Sequence, residues 1–379
     1  MFGFTKLIAF CAAAVAAKQV YTPQSAIQVA VPIKYDLSAS APISTDIYNP
    51  ANTFVSVHFE SLNVPEGGIL TLTSFDGADS VTFHGGESKK DVYAEWLTAG
   101  KGGVKVKYDG PTLTKDAGNV FVIDKIMVGK QAPVFESLCG PDKSKPAPCY
   151  ADDSVKTKSG KAVARLLIGG SSLCTGWLVG SEGHLLTNHH CIETEDDAKN
   201  LQVELGAECK TCDDPNNQKQ LGCKGEIVAT DAKFVASDEL ADFTLVKLNI
   251  KDGVDIKKYG YLQIRPEGPK LNEQIHILGH AVGWPKRFAI VTQNGQLGTV
   301  TNSSIPSCQP DEFGYVLDTQ GGNSGSPVIS NVDNAVVGIH NCGGCPTGPN
   351  GGIKIDKVVD ILKKANALPK DAIAGKPAC

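Results

Sequence analysis

The sequence predicts an all-β protein of two domains with one clear helix near the C-terminus. Apolar and polar residues alternate in segments 53–59, 69–73 and 104–108, a period of two that is typical of half-buried strands. Cysteine usage changes abruptly along the chain, since none occurs between Cys11 and Cys139. The 379 residues also exceed what a single hydrophobic core usually serves. Together these observations predict a cysteine-free first domain followed by a cysteine-rich second one.

The predicted boundaries are a signal peptide at 1–17, a small β-sandwich module or propeptide at 18–133, and a larger β domain at 134–379. Lys6 supplies the positive start of the signal, and the apolar stretch 7–15 runs into small residues that suit a cleavage site. This stretch is too short to span a bilayer, so we expect a secreted, extracellular protein with no membrane partner.

The module at 18–133 carries no catalytic constellation. Its short strands, separated by turns, predict a sandwich or jelly roll. His58 and His84 are isolated histidines, which we expect to be strand or surface residues and not metal ligands. Roles as a propeptide, a folding aid or a binding module stay open, including contact with glycan or cell wall through Tyr93 and Trp96.

The predicted helix covers residues 357–368. Asp356 is the expected N-cap, and apolar residues recur on one face of the helix. The apolar positions are Val358, Val359, Ile361, Leu362 and Ala365.

The cysteines indicate an oxidising compartment. Loss of Cys11 with the signal leaves 11 of the 12, so one thiol is free or bonded outside the chain. The pairs at 209 and 212 and at 342 and 345 would suit a zinc site, but disulfides are the favoured interpretation in an exported chain. We expect no metal and no cofactor. The net charge of −5, without basic blocks, argues against a nucleic-acid partner.

Three segments in the second half carry the chemistry, at 187–191, 241–248 and 321–327. They supply histidine, aspartate and serine in that order. A serine hydroxyl needs a base to take its proton, and the base needs a carboxylate to fix its tautomer. These three side chains could together support nucleophilic catalysis by the serine.

Each segment offers a preferred residue. Asp242 begins an apolar strand, whereas its rivals Asp238 and Glu239 lie in a more polar stretch. Ser324 lies in a glycine-rich turn, where the amides of Gly322 and Ser324 can form an oxyanion hole. For the base, the first segment offers both His189 and His190.

The order and spacing of these segments resemble the chymotrypsin-fold serine peptidases. This resemblance implies a serine endopeptidase with protein or peptide substrates as partners. It also implies a two-barrel domain ending in a helix, with His190, Asp242 and Ser324 as catalytic residues. His190 is preferred over His189 because the family's base directly precedes a cysteine. The resemblance also implies a disulfide between Cys174 and Cys191.

The turn around the serine resembles that of bacterial-type glutamyl endopeptidases. Asn323 stands where animal digestive members have an aspartate, so activation through an ion pair to a new N-terminus is not expected. Thr319 and His340 match the positions where glutamyl endopeptidases bind a substrate carboxylate. Asp318 matches the position where trypsin-like enzymes attract Lys or Arg.

The specificity pocket is therefore predicted to contain Asp318, Thr319 and His340. Of the two interpretations, we favour a preference for an acidic residue before the scissile bond. A lysyl endopeptidase-like or trypsin-like preference is the alternative, supported by the resemblance around Cys139, Cys149 and the segment at 187–191. A further alternative is a catalytically inactive homologue that acts as a binding protein.

Overall fold

The computed structural model describes residues 26–48, 53–98, 102–131 and 136–375. The predicted signal peptide and Cys379 lie outside these ranges. Strands dominate the described residues, and two eight-stranded sheets follow a smaller two-sheet module. The all-β prediction, with a sandwich before a two-barrel chymotrypsin-like domain, is confirmed.

The N-terminal module is a sandwich of two antiparallel sheets. One has the strand order β2-β10-β4-β7 with β8 beside β4, and the other has the order β3-β9-β5-β6. Apolar side chains from both sheets form its core, including Phe59, Leu72, Val106 and Phe121. The strands are β2 Ala30–Ala39, β3 Ile43–Tyr48, β4 Phe54–Asn63, β5 Ile69–Ser74, β6 Ser80–His84, β7 Ser88–Tyr93, β8 Leu97–Thr98, β9 Gly103–Asp109 and β10 Phe121–Gly129.

The three strands predicted from alternation are present in this module as β4, β5 and β9. His58 is a buried residue of β4 whose ring nitrogens face Asp91 and Asp124. Two carboxylates therefore partner this ring, and it belongs to the structure of the module. A short 3-10 helix at Lys115–Ala117 precedes β10.

The first sheet of the larger domain has the order β17-β16-β13-β14-β15-β19-β18, with β1 paired to β14. Its strands are β1 Ile27–Gln28, β13 Val163–Ile168, β14 Ser172–Val179, β15 His184–Thr187, β16 Leu201–Leu205, β17 Glu226–Ala229, β18 Ala232–Asp238 and β19 Phe243–Leu248. Helices α1 Ser154–Lys161 and α2 Glu195–Lys199 flank it, with 3-10 turns at Ala147–Tyr150, Pro215–Gln218 and Ile256–Tyr259.

The second sheet has the order β12-β21-β20-β25-β26-β27-β23-β22. Its strands are β12 Lys145–Pro146, β20 Ile275–Gly279, β21 Arg287–Ala289, β22 Val300–Ile305, β23 Glu312–Tyr315, β25 Pro327–Ser330, β26 Val336–Cys342 and β27 Asn350–Lys354. A separate pair joins β11 Glu136–Ser137 to β24 Thr319–Gln320, and a 3-10 turn covers Ala281–Gly283. One apolar cluster spans both sheets and includes Trp177, Phe243 and Ile339.

The C-terminal helix, α3, covers Ile355–Lys364. The prediction of 357–368 with Asp356 as N-cap was wrong at both ends. Lys354 occupies the cap position without a side-chain hydrogen bond, and Asp356 lies in the first turn. The buried stripe is Ile355, Val358, Val359 and Leu362, because the helix begins directly from β27. No helix among the described residues is long and apolar enough to cross a membrane.

The module packs directly on the larger domain. Phe54, Trp96 and Met127 from the module share a buried cluster with Leu173 and Val282. The backbone N–H of Trp96 donates to Gln202 at 3.1 Å, and Gln202 donates back to the Ala94 carbonyl at 2.9 Å. This shared core makes the module an integral part of the folded chain.

Among the described residues, ten cysteines form five disulfides. They join 139 to 345, 149 to 212, 174 to 191, 209 to 223, and 308 to 342. Neither Cys-x-x-Cys pair is bonded within itself, and all four of those sulfurs have distant partners. Bridges from Cys139 and Cys149 attach the start of the second domain to later loops.

Candidate active site

The structure brings His190 and Asp242 together. Thr187 of β15 lies opposite Thr244 of β19, so the loop after β15 and the residue before β19 emerge at the same end of the sheet. Asp242 is 4% exposed, and its carboxylate accepts from His190 Nδ1 at 2.8 Å and from the His190 backbone N–H at 3.0 Å. Asn188 donates from Nδ2 to the Asp242 carbonyl at 2.8 Å, which fixes this residue at a φ of 35°.

This geometry sets the tautomer of His190. Because a carboxylate only accepts, the proton of neutral His190 lies on Nδ1, and Nε2 carries a lone pair. Nε2 is buried and has no hydrogen-bond partner in the part of the chain that the structure describes. The arrangement is that of a base whose second nitrogen is fixed by a carboxylate.

Ser324 follows a tight turn against the first sheet. The Asn323 N–H donates to the Gln320 carbonyl at 3.0 Å, and Gly322 has a φ of +94° at the third position, as a type II turn requires. The Ser324 carbonyl accepts from the Thr175 N–H at 2.9 Å. Cys191 Sγ, one residue beyond His190, lies 3.9 Å from the same carbonyl. The predicted nucleophile therefore lies beside the histidine loop.

Gly325 allows the turn to approach β14. It has a φ of +87°, and a Cβ at this position would lie 2.1 Å from the Thr175 carbonyl oxygen. No side chain fits there without moving the strand. This glycine explains why the predicted motif needs glycine immediately after the serine.

Thr175 is a positioning residue that the sequence did not identify. Its hydroxyl donates to the Gly322 carbonyl at 2.8 Å and accepts from the His280 N–H at 3.0 Å. This bond and the Asn323 N–H bond to the Gln320 carbonyl fix the Gly322–Asn323 peptide, which lies between the two amides of the predicted oxyanion hole. Its position directly after Cys174 was the available signal, but one threonine in a strand predicts no such contact.

The disulfide between Cys174 and Cys191 joins β14 to the histidine loop, with a Cα–Cα distance of 6.2 Å. It lies immediately next to His190 in sequence and one residue before Thr175. The bridge therefore couples the strand that contacts the serine turn to the loop that carries the base.

His340 and Tyr315 form a buried pair behind the serine turn. The Tyr315 hydroxyl donates to the Gly351 carbonyl at 3.0 Å and lies 2.6 Å from His340 Nδ1. The hydroxyl has one proton, so His340 donates from Nδ1 and its Nε2 carries the lone pair. Burial, with a smaller effect of His190, lowers the pKa of His340 to about 3. His340 is therefore neutral near pH 7.

Thr319 lies in β24, and its hydroxyl accepts from Asn350 Nδ2 at 3.1 Å. The same amide group donates to the carbonyls of Ser137 and Leu317. Its oxygen accepts from the N–H groups of Gly344 and Cys345. Asn350 thus crosslinks the strands around Thr319, a role that the sequence did not reveal.

Asp318, predicted for the specificity pocket, accepts hydrogen bonds from three residues of the chain. Its carboxylate accepts from the N–H groups of Cys139 at 2.9 Å and Lys143 at 2.8 Å. Gln293 Nε2 donates to both carboxylate oxygens. These three partners fix the start of the second domain, and they argue against Asp318 as the ligand of a substrate lysine or arginine.

Glu312 is a buried carboxyl group that sequence analysis missed. Its Oε1 accepts from Asn341 Nδ2 at 3.0 Å and from the Gln309 N–H at 2.7 Å. Burial is the main reason that the pKa of Glu312 is raised to about 7, and the charge of Asp242 adds to the shift. Asn341 follows His340 in β26, so this carboxyl group lies directly behind the site.

The rival candidates have other partners. His189 Nδ1 lies 2.7 Å from the Ser237 hydroxyl, and Asp238 accepts from the Ala241 N–H at 2.7 Å. Glu239 lines an open groove of about 360 Å³ beside the base. The groove is lined by His189, His190, Glu193, Glu239, Asp242, Cys308, Gln309 and Asn341.

Comparison with known proteins shows the family to which the chain belongs. Residues 174–339 match the trypsin-like peptidase domain family. Secreted RxLR effector protein 73 of Plasmopara viticola is 36% identical over 341 residues, which cover 86% of this chain and 83% of the effector. The chain belongs to the same family as this effector. Its second domain is a chymotrypsin-fold domain of the serine peptidase type.

Solved structures with some similarity include the HtrA-type protease AlgW with a tripeptide, with 19% identity and a TM-score of 0.40. That match covers 57% of this chain and 62% of AlgW. Deg5 is 17% identical with a TM-score of 0.40, over 57% of this chain and 95% of its own.

Proposed function

We propose that the protein is a serine endopeptidase that forms an acyl-enzyme on Ser324. The observation that carries the proposal is the His190–Asp242 pair. The carboxylate fixes one ring nitrogen, and the other is buried without a partner among the described residues, on the loop whose Cys191 Sγ lies 3.9 Å from the Ser324 carbonyl. The trypsin-like domain match supports the same conclusion. The alternative is an inactive homologue that binds peptides. The presence of all three predicted catalytic residues, His190, Asp242 and Ser324, argues against it.

In the proposed mechanism, Ser324 Oγ attacks the carbonyl carbon of the scissile peptide as His190 Nε2 takes the hydroxyl proton. Asp242 stabilises the resulting imidazolium. The Gly322 and Ser324 amides stabilise the negative oxygen, a contribution of about 3 kcal/mol for one such donor. His190 then gives its proton to the leaving amine. Water, deprotonated by the same histidine, releases the acyl group and restores Ser324.

We further propose a preference for an acidic residue before the scissile bond. The engagement of Asp318 by the segment at 139–143 and by Gln293 removes the main support for a Lys or Arg pocket. Since the Thr319 hydroxyl accepts from Asn350, its proton can be donated to a substrate carboxylate. His340 would supply the second contact through Nε2, which is buried and without a partner among the described residues.

Neutral His340 presents a lone pair at Nε2, so binding of a carboxylate there requires one proton to be taken up. A glutamine side chain at the same place can donate its amide hydrogen without that proton. The proposed preference for an acidic residue should therefore depend on pH. Glutamate and glutamine have nearly the same size, so a comparison of substrates with each distinguishes a preference for charge from a preference for size.

A cleavage profile on a mixed peptide library tests both levels of the proposal. We expect cuts after Glu, with fewer after Asp, that disappear in Ser324→Ala. Cuts after Lys or Arg that depend on Ser324 would retain the mechanism and overturn the acidic preference. Absence of any cleavage by folded protein would favour the binding-protein alternative.

We also propose export and a division into a module at 18–133 and a peptidase domain at 134–379. Five disulfides suit an oxidising compartment. The related Plasmopara viticola protein is named as secreted. Secretion from cells of the source organism, with the N-terminal sequence of the exported product, tests both the route and the signal cleavage.

A further inference from the structure

One edge of β14 leads directly to the proposed nucleophile. At residues 172 and 173, β13 occupies the opposite edge, with Leu167 opposite Leu173 and Ile168 opposite Ser172. On the other edge of β14, β15 pairs with residues 177–179. β15 therefore leaves that edge of β14 uncovered at residues 172–173. The strand continues from there to Thr175, whose N–H donates to the Ser324 carbonyl. This edge is suited to add an extended peptide as a further strand.

The chain's own N-terminal strand, β1, occupies this edge. β1 pairs antiparallel with β14, with Ile27 opposite Leu173 and Gln28 opposite Ser172. The Val29 N–H donates to the Ser171 carbonyl at 2.7 Å, and Gln28 Nε2 donates to the Ser172 hydroxyl at 2.6 Å. Since β13 holds the other edge, β1 can only lie on the one that β15 leaves open.

Ile27 also contacts the turn that carries the serine. It is 4% exposed, and its Cδ1 lies 3.0 Å from the place where Gly321 would carry a Cβ. Gly321 directly precedes the proposed oxyanion glycine. β1 therefore touches both the strand that supports Ser324 and the turn that precedes it.

The direction of β1 places its start nearest the site. Because the pairing is antiparallel, stepping from Gln28 to Ile27 to Ala26 follows β14 from Ser172 towards Thr175. Ala26 packs against the apolar cluster that contains Cys174 and Cys191. The described chain thus approaches the catalytic loop from the side of the first sheet.

The proposed pocket for the residue before the scissile bond, Thr319 with His340, lies in the second half of the domain. Residues after the scissile bond would extend the other way, along β14. We propose that residues 26–29 are an intramolecular occupant of the leaving-group side of the substrate-binding edge, so that peptide substrates must displace β1 to bind fully. This inference rests on the proposed peptidase function.

The tether makes even a weak strand an effective competitor. A segment attached to the same chain acts at an effective concentration in the millimolar range. β1 has only two residues in strand conformation, so its hold on the edge is limited and a substrate can replace it. Substrates without residues after the scissile bond have no need to displace it.

The test compares two substrates in three variants. One is a peptidyl p-nitroanilide, and the other is a peptide of the same acyl sequence with three residues after the scissile bond. Ile27→Pro removes a backbone N–H from β1, and Ile27→Ala removes its contact with the turn. Ile227→Ala is the matched control, since Ile227 is a buried isoleucine of the same cluster but belongs to β17.

We expect both Ile27 variants to raise kcat/KM for the extended peptide by about tenfold, equivalent to about 1.4 kcal/mol. The p-nitroanilide should change less than about twofold, and Ile227→Ala should alter neither substrate selectively. Parallel changes for both substrates, or no change for either in active protein, would overturn the inference. Labelling of Ser324 by a phosphonate is measured in every variant, and its absence in all of them would overturn the peptidase function instead.

Discussion

The substitution Asp242→Asn tests the orienting carboxylate with almost no change in shape. In the structure this carboxylate accepts two N–H groups, from His190 Nδ1 at 2.8 Å and from the His190 backbone at 3.0 Å. An amide has one oxygen and can accept only one of them well. If the oxygen keeps the backbone N–H, the amide nitrogen faces Nδ1 and moves the imidazole proton to Nε2. Nε2, the nitrogen proposed to take the serine proton, then has no lone pair.

The expected loss is large because both functions of the carboxylate disappear together. Loss of the correct tautomer and of imidazolium stabilisation lowers kcat by roughly 10³ to 10⁴, equivalent to about 4 to 5.5 kcal/mol of transition-state stabilisation. Thermal unfolding should change little, since the amide occupies the same buried space. A structural role alone would instead lower the melting temperature.

The assay is kcat/KM on the best peptide from the library, corrected for the labelled fraction of sites. Asp238→Asn is the control, because it makes the same isosteric change where a side-chain oxygen accepts the Ala241 N–H in a turn outside the proposed triad. We expect the control to stay within about twofold of wild type, since a half-buried turn contact outside the proposed catalytic residues contributes little to the transition state. A loss of less than tenfold in Asp242→Asn, or an equal loss in the control, would refute the proposed role of Asp242.

Two further predictions concern protons in the second sheet. The ratio of kcat/KM for Glu over Gln substrates should fall by about tenfold per pH unit between pH 5 and 7. The reason is that only the Glu carboxylate requires proton uptake at His340, whose pKa is about 3. A ratio that does not change with pH would contradict His340 as the carboxylate ligand. The pKa of Glu312 is about 7 in the folded protein, above its ordinary value, so its contribution to stability is present below the unfolded pKa and is lost as pH rises towards 7. Urea unfolding of Glu312→Gln should lack this decline, and an unchanged decline would assign it to another group.

The sequence predicted those parts of the site that depend on local chemistry. Gly322 and Ser324 lie in one turn, and the alternation in β4, β5 and β9 records which side chains face the sandwich core. These features depend on residues close together in the sequence, whose conformational preferences and strand periodicity can be recognised directly. Asp242 was distinguished from Asp238 because an apolar strand follows it at once.

The rest depended on contacts between distant segments. Thr175 and Gly322 are 147 residues apart, and Asp318 reaches the Cys139 N–H across 179 residues. Nothing within either segment indicates its partner. Asp318 was assigned to the pocket from its sequence distance to Ser324, and its hydrogen bonds from Cys139, Lys143 and Gln293 were not predicted. The helix was misplaced for a similar reason, since β27 leads directly into α3 and sets its start.

The most direct test of the central claim is covalent labelling by a peptidyl phosphonate, followed by mass spectrometry of the labelled peptide. Such a probe reacts only with a hydroxyl that a neighbouring base has activated. We predict one adduct per chain, located on Ser324, absent in Ser324→Ala and at least about a hundredfold slower to form in His190→Ala. Folded protein that forms no adduct, or one that modifies another residue, would contradict nucleophilic catalysis by this serine.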